Sequence, residues 1–248
     1  MKFNPDGTLD RAAMLAIMNP DDKAGLEAAL QIKDATGAEV TVLTMGLPKA
    51  DDVLREAMAM GADNAILVTD RVLGGADTWA TSTTIAGALR NIDYDLIITG
   101  RQAIDGDTAQ VGPQIAEHLG IPHVSYAASV DLEGDDTLVI QRNFEDRYHV
   151  IEAKTPLLIT TLGEEIEPRY MSVGGIFDAY REKEVKVWGF EDIKDCVDPS
   201  NLGLKGSPTQ VKKSFTKPVK AAGVLHTEVS ADEAVDIIIN KLKEKYII

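Results

Sequence analysis

The chain has 248 residues, 44% of them hydrophobic and 5% aromatic, and its 25 Lys and Arg against 40 Asp and Glu give a formal net charge of -15. This composition is typical of one large or two small globular domains, and the charge argues against nucleic acid as a partner because phosphate binding needs a basic surface. A single cysteine, Cys196, excludes an internal disulfide, and no apolar run reaches the length of a membrane span, so we expect a cytoplasmic protein with no membrane insertion.

Strand and helix patterns alternate through the first half of the chain. Residues 1–10 predict a strand, a turn and a return strand. Asn19 then suits a helix N-cap, Pro20 suits the first helical position, and Gly37 ends that helix. Further strands are predicted at 39–45, 65–69 and 94–99, and further helices at 50–60, 78–91 and 109–119. This alternation predicts an α/β fold with a doubly wound, mostly parallel sheet.

The pattern changes after residue 122. Strand-like runs follow at 124–130, 137–142, 147–153 and 157–161 with no helix between them, which predicts antiparallel additions to the sheet. Residues 163–228 are polar and poorly periodic, so we expect an extended arm that packs on a partner. Ser230 and Glu233 predict a capping box for a last helix at 232–245. The chain is thus divided into an α/β domain at 1–162 and a C-terminal arm with its helix at 163–248.

The segment GRQAIDGDTAQVG, residues 100–112, lies between a predicted buried strand and a predicted helix. Open α/β sheets bind ligands in such loops, and the free N–H groups of the following helix suit an anion. Gly106 would let the backbone approach a phosphate closely, and Thr108 and Gln110 can donate hydrogen bonds. Taken alone, the segment can also be interpreted as a turn and helix cap only.

Five stretches together resemble the small, beta subunit of electron transfer flavoproteins. They are Asn19-Pro20, Thr44-Met45-Gly46, AMAMGAD at 57–63, the loop at 100–111, and Pro168-Arg169-Tyr170. The resemblance implies an adenine nucleotide alpha hydrolase-like fold whose C-terminal arm embraces a large alpha subunit in a heterodimer. It also implies a bound nucleotide, which is AMP in the common type and a second FAD in the electron-bifurcating type. Family members begin with one more strand, so the first central strand is expected to be absent from the printed sequence and its two neighbours unpaired.

Two further stretches, GGADTWATS at 74–82 and GSPTQV at 206–211, resemble the bifurcating members. The resemblance then implies an FAD that accepts a hydride from NADH. One electron would go to ferredoxin or flavodoxin, and the other through the alpha-subunit FAD to a partner flavin dehydrogenase of the acyl-CoA or 2-hydroxy acid type. The alternatives are a non-bifurcating beta subunit that binds structural AMP, and an adenine-nucleotide sensor without redox work.

The resemblance and the loop position together assign the cofactor-binding residues. These are Asn19, Pro20, Asp21, Met45, Gly46, Asp77, Thr78, Thr81, Gly100, Arg101, Gln102, Ala103, Ile104, Asp105, Gly106, Asp107, Thr108, Ala109, Gln110 and Val111. Thr78 and Thr81 are implied to face the flavin ring. No side chain is expected to act as a covalent catalyst, and no metal site is predicted.

The charged residues of the loop leave alternatives open. Asp105 and Asp107 would repel a phosphate, so they are expected to cap the helix or to accept a hydrogen bond from a ribose hydroxyl. Arg101 would either stabilise negative charge on a pyrophosphate or reduced flavin, or pair with Asp105 or Asp107 at the surface.

A docking site is also implied by the resemblance. Val173, Ile176 and Phe177 fall in a loop where family members recognise partner dehydrogenases, and two glycines would let this loop adapt. The alternative is that these side chains pack into the alpha subunit or under the arm.

Overall fold

The structure is a computed structural model, and it describes residues 16–134, 136–212 and 222–248. The hairpin predicted for residues 1–10 lies outside these ranges. Among the described residues, no helix is both long enough and apolar enough to cross a membrane.

Eight helices are named here in chain order. They are α1 Pro20–Thr36, α2 Asp51–Met60, α3 Thr78–Leu89, α4 Val111–Leu119, α5 Val173–Arg181, α6 Phe190–Ile193, α7 Gly203–Gly206 and α8 Ala231–Glu244. Asn19 occupies the N-cap position of α1, and Gly37 ends the helix in the left-handed conformation, as the sequence predicts. The capping box of α8 is also confirmed, because Ser230 and Glu233 each bond the backbone N–H of the other.

Within the described ranges, eight strands form two sheets. They are β1 Thr41–Met45, β2 Asn64–Val68, β3 Leu96–Gly100, β4 His123–Glu133, β5 Thr137–Asn143, β6 Tyr148–Lys154, β7 Leu157–Thr161 and β8 Val185–Trp188. One sheet has the order β1-β2-β8 and is parallel. The other has the order β3-β7-β4-β5-β6, and in the described part of the chain β1 pairs only with β2 and β3 only with β7. The predicted α/β class is therefore confirmed, while the described strands form two sheets where one was expected.

The strand β7 differs from the prediction. It was expected to be an antiparallel addition, but it runs parallel to both β3 and β4 and lies between them. All five of its residues are buried, as is typical of a central strand covered on both faces. The predicted antiparallel pairing holds for β4 with β5 and for β5 with β6.

Much of the segment predicted to be an arm packs on the α/β domain itself. Strand β8 extends the first sheet by pairing with β2, and α5 packs against α2. Buried side chains anchor the rest of this segment, namely Ile166, Ala179, Val185, Ile193 and Leu202. These apolar residues are spaced too irregularly to produce a periodic pattern, which is why the sequence suggested a segment without a core of its own.

Candidate functional site

The start of α1 and the loop at 100–111 are held together by one side chain. The amide nitrogen of Asn19 donates to the carbonyl of Gln102 at 2.8 Å and to a carboxylate oxygen of Asp22 at 2.8 Å. Its amide oxygen accepts from the backbone N–H of Ile104 at 3.2 Å. Asn19 thus occupies the cap position but makes no side-chain cap bond to α1 within the described residues. Two of the predicted site segments therefore meet through Asn19.

Gly100 lies so close to α1 that no side chain fits there. Its N–H donates to Asp22 Oδ1 at 2.6 Å, and a Cβ at this position would lie 2.6 Å from the backbone nitrogen of Asp22. Beside it, Thr161 Oγ1 donates to the carbonyl of Asp21 at 2.9 Å, and the N–H of Gly163 donates to Asp21 Oδ1 at 2.9 Å. The first turn of α1 is thus fixed at the carboxyl ends of β3 and β7.

Arg101 pairs with an acid that the sequence analysis did not consider for it. Its Nε lies 3.3 Å from Asp21 Oδ2, which is a contact to the first turn of α1. Both of these atoms are buried, and in the described part of the chain neither makes a hydrogen bond of normal geometry. The Arg101 side chain as a whole is 33% exposed, so part of it remains accessible to a further polar group.

Two residues in the turn at 101–110 adopt the left-handed backbone conformation. Asp107 and Ala109 both have φ of +52°, whereas Gly106, where the sequence suggested backbone freedom, does not. A Cβ at Gly106 would meet no atom within 4 Å, so this position faces open space. The side chain of Asp107 accepts from Gln102, and its N–H donates to the carbonyl of Ala103 at 2.8 Å.

The expectation that Asp107 caps α4 is therefore wrong. The N-cap of α4 is Gln110, which makes no side-chain cap bond among the described residues, and the helix begins at Val111, two residues later than predicted. Since Asp107 bonds within the turn, the first N–H groups of α4 keep the capacity to bind an anion.

The loop before α3 meets the 100–111 loop. Thr78 Oγ1 donates to Gln110 Oε1 at 3.2 Å, although the two residues are 32 positions apart. Asp77 caps α3 by accepting from the N–H of Ala80 at 3.0 Å. Thr81 lies on the same first turn and is half-buried. Two segments that the sequence assigned to one cofactor are therefore adjacent in space.

Asp77 also binds the predicted stretch at 206–211. Its Oδ2 accepts from the N–H and the hydroxyl of Thr209 at 2.9 and 2.7 Å, and its own N–H donates to Ser207 Oγ at 2.8 Å. Desolvation by burial raises the pKa of Asp77, but hydrogen bonds from Ala80 and Thr209 outweigh this and leave the pKa below its ordinary value. The carboxylate therefore stays charged at neutral pH.

Other predicted positions lie at the edge of the first sheet, β1-β2-β8. Met45 and Gly46 are at the carboxyl end of β1, where Gly46 donates to the carbonyl of Val68 at 3.1 Å. The sequence analysis missed His118, whose Nε2 lies 3.1 Å from Ser82 Oγ and whose ring meets the Trp79 ring edge-on at 4.7 Å. The helical spacing within α4 placed His118 on that helix, but no local pattern indicated which residue of α3 it would contact.

The predicted docking residues form a helix where the resemblance suggested an adaptable loop. Ser172 caps α5 by accepting from the N–H of Gly175 at 2.9 Å. Gly175 lies against α2, where a Cβ would be 2.4 Å from the carbonyl oxygen of Ala59. Val173 is 74% exposed and Phe177 is 52% exposed, and Ile176, at 39%, borders a shallow pocket between α2 and α5.

An ion pair holds the segment that precedes α5. Arg169 Nε donates to Glu27 Oε2 at 2.8 Å, and Arg169 Nη2 donates to Glu27 Oε1 at 3.0 Å and to Asp34 Oδ2 at 2.9 Å. Glu27 is buried, and its desolvation is outweighed by the hydrogen bonds from Arg169, so the pKa of this carboxyl is lowered. The bidentate contact fixes the 168–172 segment on α1.

Comparison with known proteins is consistent with this geometry. Residues 6–192 match the electron transfer flavoprotein domain family. The chain is 56% identical over 242 residues to electron transfer flavoprotein subunit beta of Clostridium acetobutylicum, covering 98% of this chain and 92% of the relative. It is 49% identical to caffeyl-CoA reductase-Etf complex subunit CarD of Acetobacterium woodii, covering 100% and 94%. It is also 49% identical to acryloyl-CoA reductase electron transfer subunit gamma of Anaerotignum propionicum, covering 99% and 93%.

Proposed function

The chain belongs to the electron transfer flavoprotein family, and from this premise we propose that it is the beta subunit of an electron-bifurcating member that binds FAD. The observation that carries the proposal is the contact of Thr78 with Gln110, because it joins the 74–82 stretch to the 100–111 loop. Relatives named for caffeyl-CoA and acryloyl-CoA reductases support a role in supplying electrons to such partners.

The residues around the loop fit a nucleotide. The Arg101 side chain is 33% exposed, Gly106 faces open space, and the first turn of α4 has no side-chain cap within the described chain. In the proposal, Arg101 and the first N–H groups of α4 bind the diphosphate, while Thr78 and Thr81 face the flavin ring. The ion pair of Arg101 with Asp21 fixes the direction of the guanidinium before the ligand arrives.

When bound, the FAD would supply the chemistry for accepting a hydride from NADH and dividing its two electrons. One electron would go to ferredoxin or flavodoxin, and the other would go through the alpha-subunit FAD to a partner flavin dehydrogenase. The chain's own residues hold and orient the cofactor and carry out no covalent step. A hydroxyl donor in the first turn of α3, such as that of Thr81, would favour the reduced, negatively charged form of the ring.

Two surfaces are available for partners. Helix α8 exposes Val235 and Ile238, and an amphipathic helix of this kind suits packing on the alpha subunit in a heterodimer. The exposed side chains of Val173, Ile176 and Phe177 on α5 form the proposed docking surface for the dehydrogenase, of the acyl-CoA or 2-hydroxy acid type. The Arg169 ion pair holds the entry to this surface rigid.

The deciding experiment is a cofactor count on the heterodimer produced with its alpha subunit. Two FAD per heterodimer are expected. One FAD with one AMP would instead support a non-bifurcating beta subunit with structural AMP, and the absence of flavin would support a nucleotide sensor.

A second experiment tests the placement of the flavin ring. Replacing Thr78 and Thr81 together by valine should shift the reduction potential of one flavin and leave that of the other unchanged. Unchanged redox titrations of both flavins would overturn the placement of the ring.

A further inference from the structure

The segment 203–209 is fastened to the loop that precedes α3. Ser207 Oγ accepts the N–H of Asp77 at 2.8 Å and donates to the carbonyl of Gly203 at 2.7 Å. Thr209 donates both its N–H and its hydroxyl to Asp77 Oδ2. The other oxygen of the same carboxylate accepts from Ala80 in the first turn of α3. One carboxylate therefore joins the segment to the helix start.

Packing supports these polar contacts. The N–H of Leu204 donates to the carbonyl of Gly74 at 3.0 Å, and a Cβ at Gly75 would lie 3.1 Å from the Leu204 Cβ. Gly203 has φ of +56°, and a Cβ there would lie 2.1 Å from the carbonyl oxygen of Val72. The segment 203–209 is thus fitted closely to the loop.

We propose that Thr209 and Ser207 are positioning residues of the nucleotide site, acting through Asp77 to hold the first turn of α3 where Thr78 meets Gln110. This inference rests on the proposed function and assigns a role to residues that do not touch the ligand. Hydrogen bonds to a charged acceptor are stronger than neutral ones, and Thr209 supplies two of them. Because Asp77 is shared, nucleotide binding and attachment of segment 203–209 are coupled, and such coupling is reciprocal.

The test compares Thr209→Val with Thr209→Ser in the heterodimer. Valine keeps the shape and removes the hydroxyl donor, whereas serine keeps the donor. After removal of bound nucleotide, FAD and AMP are titrated back by calorimetry. Loss of one charge-assisted hydrogen bond predicts about tenfold weaker binding in the valine variant and a near wild-type affinity in the serine variant.

A matched control is available in β5. Thr137 also donates its hydroxyl to a carboxylate, that of Asp136 at 2.9 Å, but it lies on the antiparallel ribbon. Thr137→Val therefore removes the same type of bond elsewhere and should leave nucleotide affinity unchanged. The inference would be overturned if Thr137→Val lost as much nucleotide affinity as Thr209→Val. It would also be overturned if Thr209→Ser lost as much nucleotide affinity as Thr209→Val.

Hydrogen exchange on the wild-type complex tests the coupling without a variant. Saturation with FAD or AMP should slow exchange in both 74–80 and 203–209, and protection confined to 74–80 would contradict the inference. If the complex binds neither FAD nor AMP, the proposed function fails together with the inference. If it binds two FAD and Thr209→Val retains both at wild-type affinity, only the inference fails. If it binds AMP in place of the second FAD and Thr209→Val weakens AMP binding while Thr209→Ser does not, only the proposed bifurcating function fails.

Discussion

Two helix starts border the candidate site, and they use the same kind of cap residue for different tasks. Asn19 stands at the N-cap of α1 but directs its side chain to Gln102 and Ile104 in the neighbouring loop. Asp77 stands at the N-cap of α3, bonds Ala80 of its own helix and also binds Thr209. The comparison shows that a favourable residue at the cap position does not establish which backbone groups its side chain will satisfy.

The surroundings of the two helices explain the difference. The first turn of α1 is fixed by Gly100 and Thr161 at the carboxyl ends of β3 and β7, so its cap side chain is available to hold a loop. The first turn of α3 follows a loop with two glycines, Gly74 and Gly75, and its N-terminus is capped by the side chain of Asp77.

The largest expected effect comes from the close contact at the start of α1. Gly100→Ala places a Cβ against the backbone of Asp22, and neither backbone can shift without disturbing β3 or α1. Overpacking of this kind should lower the free energy of unfolding by about 3 kcal/mol, measured by urea denaturation. Gly106→Ala is the matched control and should change stability by less than about 0.5 kcal/mol, because its Cβ meets open space. Equal urea concentrations at the midpoint of unfolding for the two variants would contradict the role assigned to Gly100.

A smaller effect distinguishes the two caps. Asp77→Ala should lower the free energy of unfolding by about 1–2 kcal/mol because it removes a cap bond, whereas Asn19→Ala should cost about 1 kcal/mol or less because it removes two loop contacts and one exposed bond to the Asp22 side chain. Hydrogen exchange locates the change. Exchange should accelerate at Ala80 and Thr209 in the first variant and at Ile104 in the second, with Lys23 in α1 unaffected. Faster exchange of Lys23 in Asn19→Ala would show that Asn19 stabilises α1 after all.

The smallest effect is a dependence on pH. Hydrogen bonds lower the pKa of Asp77 in the folded chain below its pKa in the unfolded chain, which is near 3.8. The charged carboxylate therefore stabilises the fold fully at a pH above the unfolded-state pKa. This stabilisation is lost as the pH falls through the lower, folded-state pKa. The stability advantage of the wild-type chain over Asp77→Asn should therefore shrink as the pH is lowered from about 6 to about 3. Denaturant titrations at several pH values measure this difference, and an advantage that stays constant would rule out the titration of Asp77 as its source.

Local patterns predicted a large part of the fold. The strand before Gly100, the Asn-Pro start of α1 and the Ser230 capping box all depend on neighbouring residues, and the structure confirms them, although of residues 94–99 only Ile97 is buried. The position of β7 between β3 and β4 was not predictable in this way, since three apolar residues followed by two threonines are equally suited to an edge ribbon or a buried centre.

The candidate site divides in the same manner. The 100–111 loop, the 74–82 stretch and the 206–211 stretch could each be recognised from the sequence, because their residue types are set by turns, caps and resemblance. Their mutual contacts could not, because Asn19 and Gln102 are 83 positions apart and Asp77 and Thr209 are 132 apart. The sheets determine where α1, α3 and segment 203–209 come together. This placement decides which groups donate hydrogen bonds to the two carboxylate oxygens of Asp77, and it brings Arg101 to Asp21. The sequence by itself determined the elements and the chemical types at the site, whereas only the tertiary structure decided the partners, because a hydrogen bond depends on distance in space and not on separation along the chain.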